Sequence, residues 1–203
     1  VSPHAQPWDG GWYHAAAHAQ SPNFGARPPG AEVDLLVVHS ISLPPGEFGA
    51  GYVHDLFLNR LDTSAHPYFA QLQGLQVSAH FFIERSGRLW QFVDCDARAW
   101  HAGASRYRGR DNCNDDSIGV ELEGLEGGCF EDAQYHCLLS LAVGLRARYP
   151  LRYVAGHEHI APSRKADPGA GFDWAFLQQA PALSGLHFPH GENILPATPP
   201  GFP

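Results

Sequence analysis

Thirteen histidines mark this chain of 203 residues, as many as lysine and arginine together. Imidazole is the commonest metal ligand and titrates nearest neutrality, so position decides which of them matter. His39 directly follows VDLLVV (33–38), a short apolar run rich in β-branched residues. Residues 156–169, GHEHIAPSRKADPG, gather two His, a Glu, a Lys and an Asp around two Pro, in a stretch that reads as too irregular for helix. Glu121 interrupts the alternation of Ile118, Val120 and Leu122. A hydrolytic metal centre needs three nitrogen or oxygen ligands and an open position for water. A nearby carboxylate can take the water's proton, and a lysine can steady an oxyanion. These three places supply all five roles. Each also has a plainer reading: a strand-end His satisfied in the core, an Asp before Pro forming a turn, a strand Glu facing solvent. No HExxH helix is present to decide between them.

The elements that must position these groups follow from pattern. VDLLVV reads as a buried strand, which puts His39 at a strand's C-terminal end, where α/β sheets present ligand groups. ISLPPGEF (41–48) is a loop, and 49–61 reads as helix, with Val53, Phe57 and Leu61 every four residues. After the connection 62–76, VSAHFFIER (77–85) and RLWQFV (88–93) flank Ser86-Gly87 as a hairpin. Residues 99–117 form a long, polar, Gly-dotted loop, a kind that is functional or disordered in compact domains. IGVELEG (118–124) is a strand. Residues 131–148 are the clearest helix, acidic at the start and Arg-rich at the end. RYVAGHEHIAP (152–162) runs from strand into loop, and FDWAFLQQ (172–179) is a last short helix. The hairpin makes the sheet mixed. The fold class is α/β (α+β): one domain with a central mixed β-sheet flanked by helices. Residues 1–30 are an irregular lead-in, and 181–203 a Pro-rich, poorly packed tail.

Composition narrows the partners. Hydrophobic residues are 44% of the chain and charged residues 17%, enough for a sizeable core. Lys plus Arg is 13 against 21 for Asp plus Glu, a net charge of −8. That balance opposes nucleic-acid and anionic-membrane binding. No run approaches a membrane span, and the N-terminal residues show no secretory pattern. Cys95, Cys113, Cys129 and Cys137 form no CxxC pair. They read as reduced structural thiols, which fits a cytoplasmic location.

From SPNFGARP (21–28) to GFDWAFL (171–177) the chain resembles the AmpD-type N-acetylmuramoyl-L-alanine amidases. The likeness runs through LLVVHSISLPPGEFG (35–49), HPYF (66–69), VSAHFFIER (77–85), RAWHAG (98–103), CNDDSIGVELEG (113–124), DAQY (132–135) and GHEHIAPSRKADPG (156–169). It implies the fold shared with peptidoglycan recognition proteins, with a zinc amidase domain over 31–180. It implies one Zn2+ per chain, held by His39, His157 and Asp167, with Glu121 as catalytic acid–base and Lys165 on the oxyanion. It places Trp100, His101, Ala102 and Gly103 in the wall of the substrate groove, with Asn114 beside it and Ser40 next to the ligand His39. The implied reaction is hydrolysis of the amide between the lactyl group of 1,6-anhydro-N-acetylmuramic acid and L-Ala, in cell-wall recycling. The implied partner is a small soluble muropeptide, with no obligate protein partner. Four positions depart from the family pattern. Ser40 stands where Asn is usual, Gln76 and Asn112 where some members carry Arg, and His159 where Asp or Asn is usual; His159 reads as packing, not ligation. A broader amidase acting on intact peptidoglycan and a non-catalytic binding module are the rival readings.

Overall fold

The computed structural model describes residues 7–189. Six strands form its main sheet: β1 (Ala17–His18), β2 (Leu35–Ile41), β3 (Phe81–Ile83), β4 (Leu89–Gln91), β5 (Ser117–Glu123) and β6 (Tyr153–Gly156). Their spatial order is β6-β2-β5-β3-β4-β1. All neighbours are parallel except β3 and β4, the expected hairpin, so the sheet is mixed. Register pairs Glu121 with His39 and Gly156 with Val38. His39, Glu121 and the residue after Gly156 therefore share the C-terminal ends of three adjacent parallel strands, where open α/β sheets hold ligands.

Strand alternation divides the sheet into two chemically different faces. Leu36, Val38, Ile118, Val120 and Leu122 face a long helix, α2 (Asp132–Arg148), which answers with Tyr135, Leu138, Leu141, Ala142 and Leu145. Those spacings of three and four are a helical stripe, and each buried Leu contributes about 1.5–3 kcal/mol. The Glu131 and Gln134 side chains cap the helix reciprocally. On the opposite face Leu35, Val37 and Ala155 pack against Ala102, Cys113, Ile160 and Ala161. His39 and Glu121 continue the rows on that second face. A further cluster joins α1 (Tyr52–Phe57) to Phe69, Phe82 and Phe92.

Four expectations need revision, and the choice left open for the 99–117 loop, functional or disordered, is narrowed. The helix expected over 49–61 is only α1, because Asn59 enters the left-handed region at φ 56°. The 156–169 segment is not wholly irregular: α3 (His157–Ile160) is a single helical turn. The 99–117 loop is ordered, with a two-residue ladder of Arg106–Tyr107 on Arg110–Asp111 and a 3₁₀ turn at Cys113–Asp115. Arg110 anchors it through ion pairs to Asp34 and Asp116. The lead-in supplies β1 at the sheet edge, and Phe24–Gly25 pairs with Arg98–Ala99. The tail packs as far as it is described, after α4 (Trp174–Gln178): Val154 N donates to His187 O at 2.9 Å, and Leu183 and Phe188 join the α2 core. The rest of the tail expectation, from residue 190, lies outside the described residues, as do His4 and His190. Among the described residues, no helix is long and apolar enough to cross a membrane.

Candidate active site

β2 delivers His39 as its last buried residue, before the half-buried Ser40 and Ile41, and α3 delivers His157 from its first position, immediately beyond β6. Asp167 returns beside them, its peptide oxygen accepting from Glu158 N at 2.9 Å. His39 Nδ1 and His157 Nδ1 lie 3.0 Å apart, and Asp167 Oδ2 is 3.3 Å from each. All three residues are buried. Burial pushes the His39 imidazolium down to about 4, so the ring is neutral at pH 7. His157 Nε2 is 3.1 Å from the Ala102 carbonyl, which only accepts. With Nε2 donating to that carbonyl, the neutral form of His157 offers its Nδ1 lone pair to the other two donors. Two imidazole nitrogens and a carboxylate converging at these separations suit a cation. Tetrahedral Zn2+, with donors about 2.0–2.1 Å away, would set those donors about 3.3 Å apart.

Glu121 Oε1 stands 4.0 Å from His39 Nδ1, while its Oε2 is buried without a partner. Burial pushes the Glu121 carboxyl well above the ordinary range; the Asp167 charge adds to this and Lys165 opposes it. Glu121 and Lys165 both line a cavity of about 340 Å³, together with His157 and Asp167. Ser40 and Trp100 line it too, and the Ser40 hydroxyl is a buried polar atom without a partner. His157, Asp167, Glu121 and Lys165 thus share one cleft, with His39 against His157 and Asp167.

The remaining expected groove residues sit differently. Ala102 and Asn114 are buried beneath the site and do not line the cavity. Asn114 Oδ1 is occupied by the backbone N–H groups of His101, at 3.1 Å, and Ala102, at 2.8 Å. Gly103 is exposed outside the cavity, its backbone left-handed at φ 58°. His101 touches the cavity but is only 8% exposed, its ring lying on Gly119, where a Cβ would come within 2.4 Å of it. The 101–102 stretch thus works from behind the ligand imidazoles. His159 Nδ1 accepts from Gly156 N at 2.9 Å, closing the turn that starts α3. Sequence reasoning passed over Ser117 and Arg164. Arg164 donates to the carbonyls of Ala102, at 2.6 Å, and Ala104, at 2.7 Å. Ser117 could have been found, since the alternation that puts Glu121 on the site face puts Ser117 and Gly119 there as well.

The family model described as N-acetylmuramoyl-L-alanine amidase matches residues 29–170. The 1,6-anhydro-N-acetylmuramyl-L-alanine amidase AmpD of Citrobacter freundii is 50% identical over 169 residues, 82% of this chain and 90% of that protein. A crystal structure of a selenomethionine derivative of AmpD superimposes with a TM-score of 0.80 at 49% identity, covering 83% of this chain and 96% of that one. The Escherichia coli amidase AmiD, solved in complex with anhydro-N-acetylmuramic acid-L-Ala-D-γ-Glu-L-Lys, gives a TM-score of 0.54 at 31% identity, covering 75% and 60%. The matched span includes the strand ends that carry the three converging donors, and the chain belongs to the N-acetylmuramoyl-L-alanine amidase family, on its AmpD-type side.

Proposed function

We propose that the protein is a zinc-dependent hydrolase that cleaves the amide between the lactyl group of 1,6-anhydro-N-acetylmuramic acid and the L-Ala of a stem peptide. The observation that carries this reading is the convergence of His39 Nδ1, His157 Nδ1 and Asp167 Oδ2 beside the unpartnered Glu121 carboxyl, at the floor of a cleft. The AmpD relatives, whose name states this reaction, support it over other amidases. His39, His157 and Asp167 would hold the ion. Zn2+, when bound, supplies Lewis-acid polarisation and a water nucleophile near neutral pH.

The chain's own groups do the proton work. Water oxygen bonds to the lactyl carbonyl carbon as Glu121 takes the water's proton. The carbonyl oxygen becomes an oxyanion, with Lys165 beside it. Glu121 then passes its proton to the alanine nitrogen, the carbon–nitrogen bond breaks, and a free peptide amine and a lactyl carboxylic acid leave. Burial suits Glu121 to this exchange, because a raised pKa brings acid and base forms closer in energy near neutrality. The reading extends to a cytoplasmic place of action, in keeping with a small soluble substrate.

Mass spectrometry of a defined anhydro-muramyl tripeptide tests this. Release of intact tripeptide and anhydro-muramic acid, lost on chelation and restored by Zn2+, is expected. Cleavage elsewhere in the peptide, or full activity after complete zinc removal, would refute it. Intact sacculi as a parallel substrate separate this enzyme from a general peptidoglycan amidase. Cell fractionation tests the location.

A further inference from the structure

Behind the three converging donors runs a chain of hydrogen bonds whose direction is set at its far end. The Cys113 carbonyl can only accept, so the Ser117 hydroxyl directed at it gives its single proton there. Ser117 Oγ also stands 3.0 Å from His101 Nε2, and with its proton committed it must accept. A neutral His101 then carries its proton on Nε2 and a lone pair on Nδ1. That lone pair lies 2.8 Å from His39 Nε2, so His39 donates from Nε2. His39 Nδ1 is left as a lone pair facing His157 and Asp167.

We infer that His101 is a positioning residue for the metal site: ordered by Ser117, it locks His39 in the one tautomer that can ligate through Nδ1. The inference rests on the zinc reading given above. Ligand histidines usually pass their second ring proton to a carboxylate, a carbonyl or water. His157 follows that rule through the Ala102 carbonyl, whereas His39 relies on a neutral imidazole, which serves only if its own tautomer is fixed. Ser117 fixes it. The supports of both ligand imidazoles come from consecutive residues, 101 and 102, and Asn114 pins both of their N–H groups. The ring can lie against β5 because residue 119 has no side chain.

Two measurements test it. Long-range proton–nitrogen NMR of the metal-free chain should show His39 and His101 both protonated on Nε2; His39 protonated on Nδ1 overturns the inference without any variant being made. Zn2+ affinity, measured by competition with a chromophoric chelator, should fall about 10–100-fold in His101→Phe, the usual cost of losing such a partner. His101→Gln should recover most of that loss, since an amide offers an acceptor to His39 and a donor to Ser117, while a residue that only filled space would be served better by Phe. Circular dichroism should show both variants folded. Unchanged affinity in His101→Phe, or a Gln variant no tighter than Phe, overturns the inference. A wild-type chain with no Zn2+ affinity would instead remove the zinc reading beneath it, and if His101→Phe does not fold, the NMR measurement decides.

Discussion

Glu121 and Lys165 divide chemistry from metal binding at the level of single side chains. Glu121 is near His39 but outside the set of three converging donors. Glu121→Gln should therefore keep zinc and lose about 10²–10⁴-fold in turnover, the usual weight of a positioned acid–base group. Lys165→Ala should cost about 10²–10³-fold, again with zinc retained. The double variant should lose less than the product, because both groups act on one transition state. Zinc content and initial rate measured on the same samples check all three. Glu123 is no substitute base, since its carboxylate is taken up by the backbone N–H groups of Gly49 and Arg85. His80 makes a separate case. Gly119 N donates to its Nδ1 at 3.0 Å, and its Nε2 is 3.1 Å from the Ala97 carbonyl, so the ring is neutral with its proton on Nε2. Burial, helped by Arg27, pushes its pKa down to about 3. The unfolded ring takes a proton near the ordinary value of about 6.5, so the stability held above that pH drains away as pH falls toward 3. Between pH 7.5 and 5 this ring alone should cost about 2 kcal/mol. Urea unfolding of metal-free protein should show that slope in the wild type and a shallower one in His80→Gln; equal slopes would refute it.

At the level of elements, β5 serves two ends: Ile118, Val120 and Leu122 build the core, while Ser117, Gly119 and Glu121 build the site. Gly119→Ala would drive a methyl group into the His101 ring. It should weaken Zn2+ binding and destabilise by about 1–3 kcal/mol, the scale of overpacking. Leu138→Ala in α2 opens a cavity on the other face and should cost about 2–5 kcal/mol, with zinc affinity per folded chain unchanged. Calorimetry beside metal titration separates the two. These elements were legible for different reasons: β5 from seven residues of alternation, and α2 from its length, its acidic start and its Arg-rich end. α3 was not legible, because four residues are too few to display a helical period. The two-residue strands of the lead-in were hidden for the same reason, and only their partners reveal them. The ligand types could be read from the chain, but the side of the site served by 101–102 could not. Which way a loop's His faces depends on Ser117 and Asn114, residues distant enough in sequence that only the fold brings them together.

Across the whole molecule the surface is uneven in a way that bears on substrate size. Of the six large hydrophobic side chains exposed among the described residues, Tyr68, Leu75 and Leu125 line the cleft that holds the site. Tyr68 and Leu75 belong to the segment from Ile41 to Val77, which also contributes Leu43, Pro45, Leu56 and Leu72 to the same wall. Leu125, Glu126 and Lys165 complete the lining. An apolar rim of this kind is costly to leave in water unless something covers it, and the face of a sugar ring with its lactyl group is chemically suited to do so. A long, cross-linked glycan strand would have to pass this wall to bring its amide to Glu121, whereas a single anhydro-muramyl peptide can enter from the mouth. Soluble anhydro-muropeptide should therefore be turned over far faster than intact sacculi. Truncating the rim should change binding more than chemistry: in Tyr68→Ala/Leu75→Ala, KM for the small substrate should rise about 10-fold or more, at roughly 25 cal/mol for each Å² of apolar surface that the sugar no longer covers, while kcat stays within a few-fold. Both side chains are exposed, so the variant should fold and hold zinc as the wild type does. Gln76, also exposed on this segment, and Asn112, exposed in the 99–117 loop, lie outside the cavity lining and bring no charge for a peptide carboxylate. Removing such a carboxylate from the stem peptide should then alter KM little. Steady-state kinetics with tripeptide and truncated stems checks both expectations, and a rim variant that loses kcat with KM unchanged would show that the wall orients the reacting amide instead of holding the sugar.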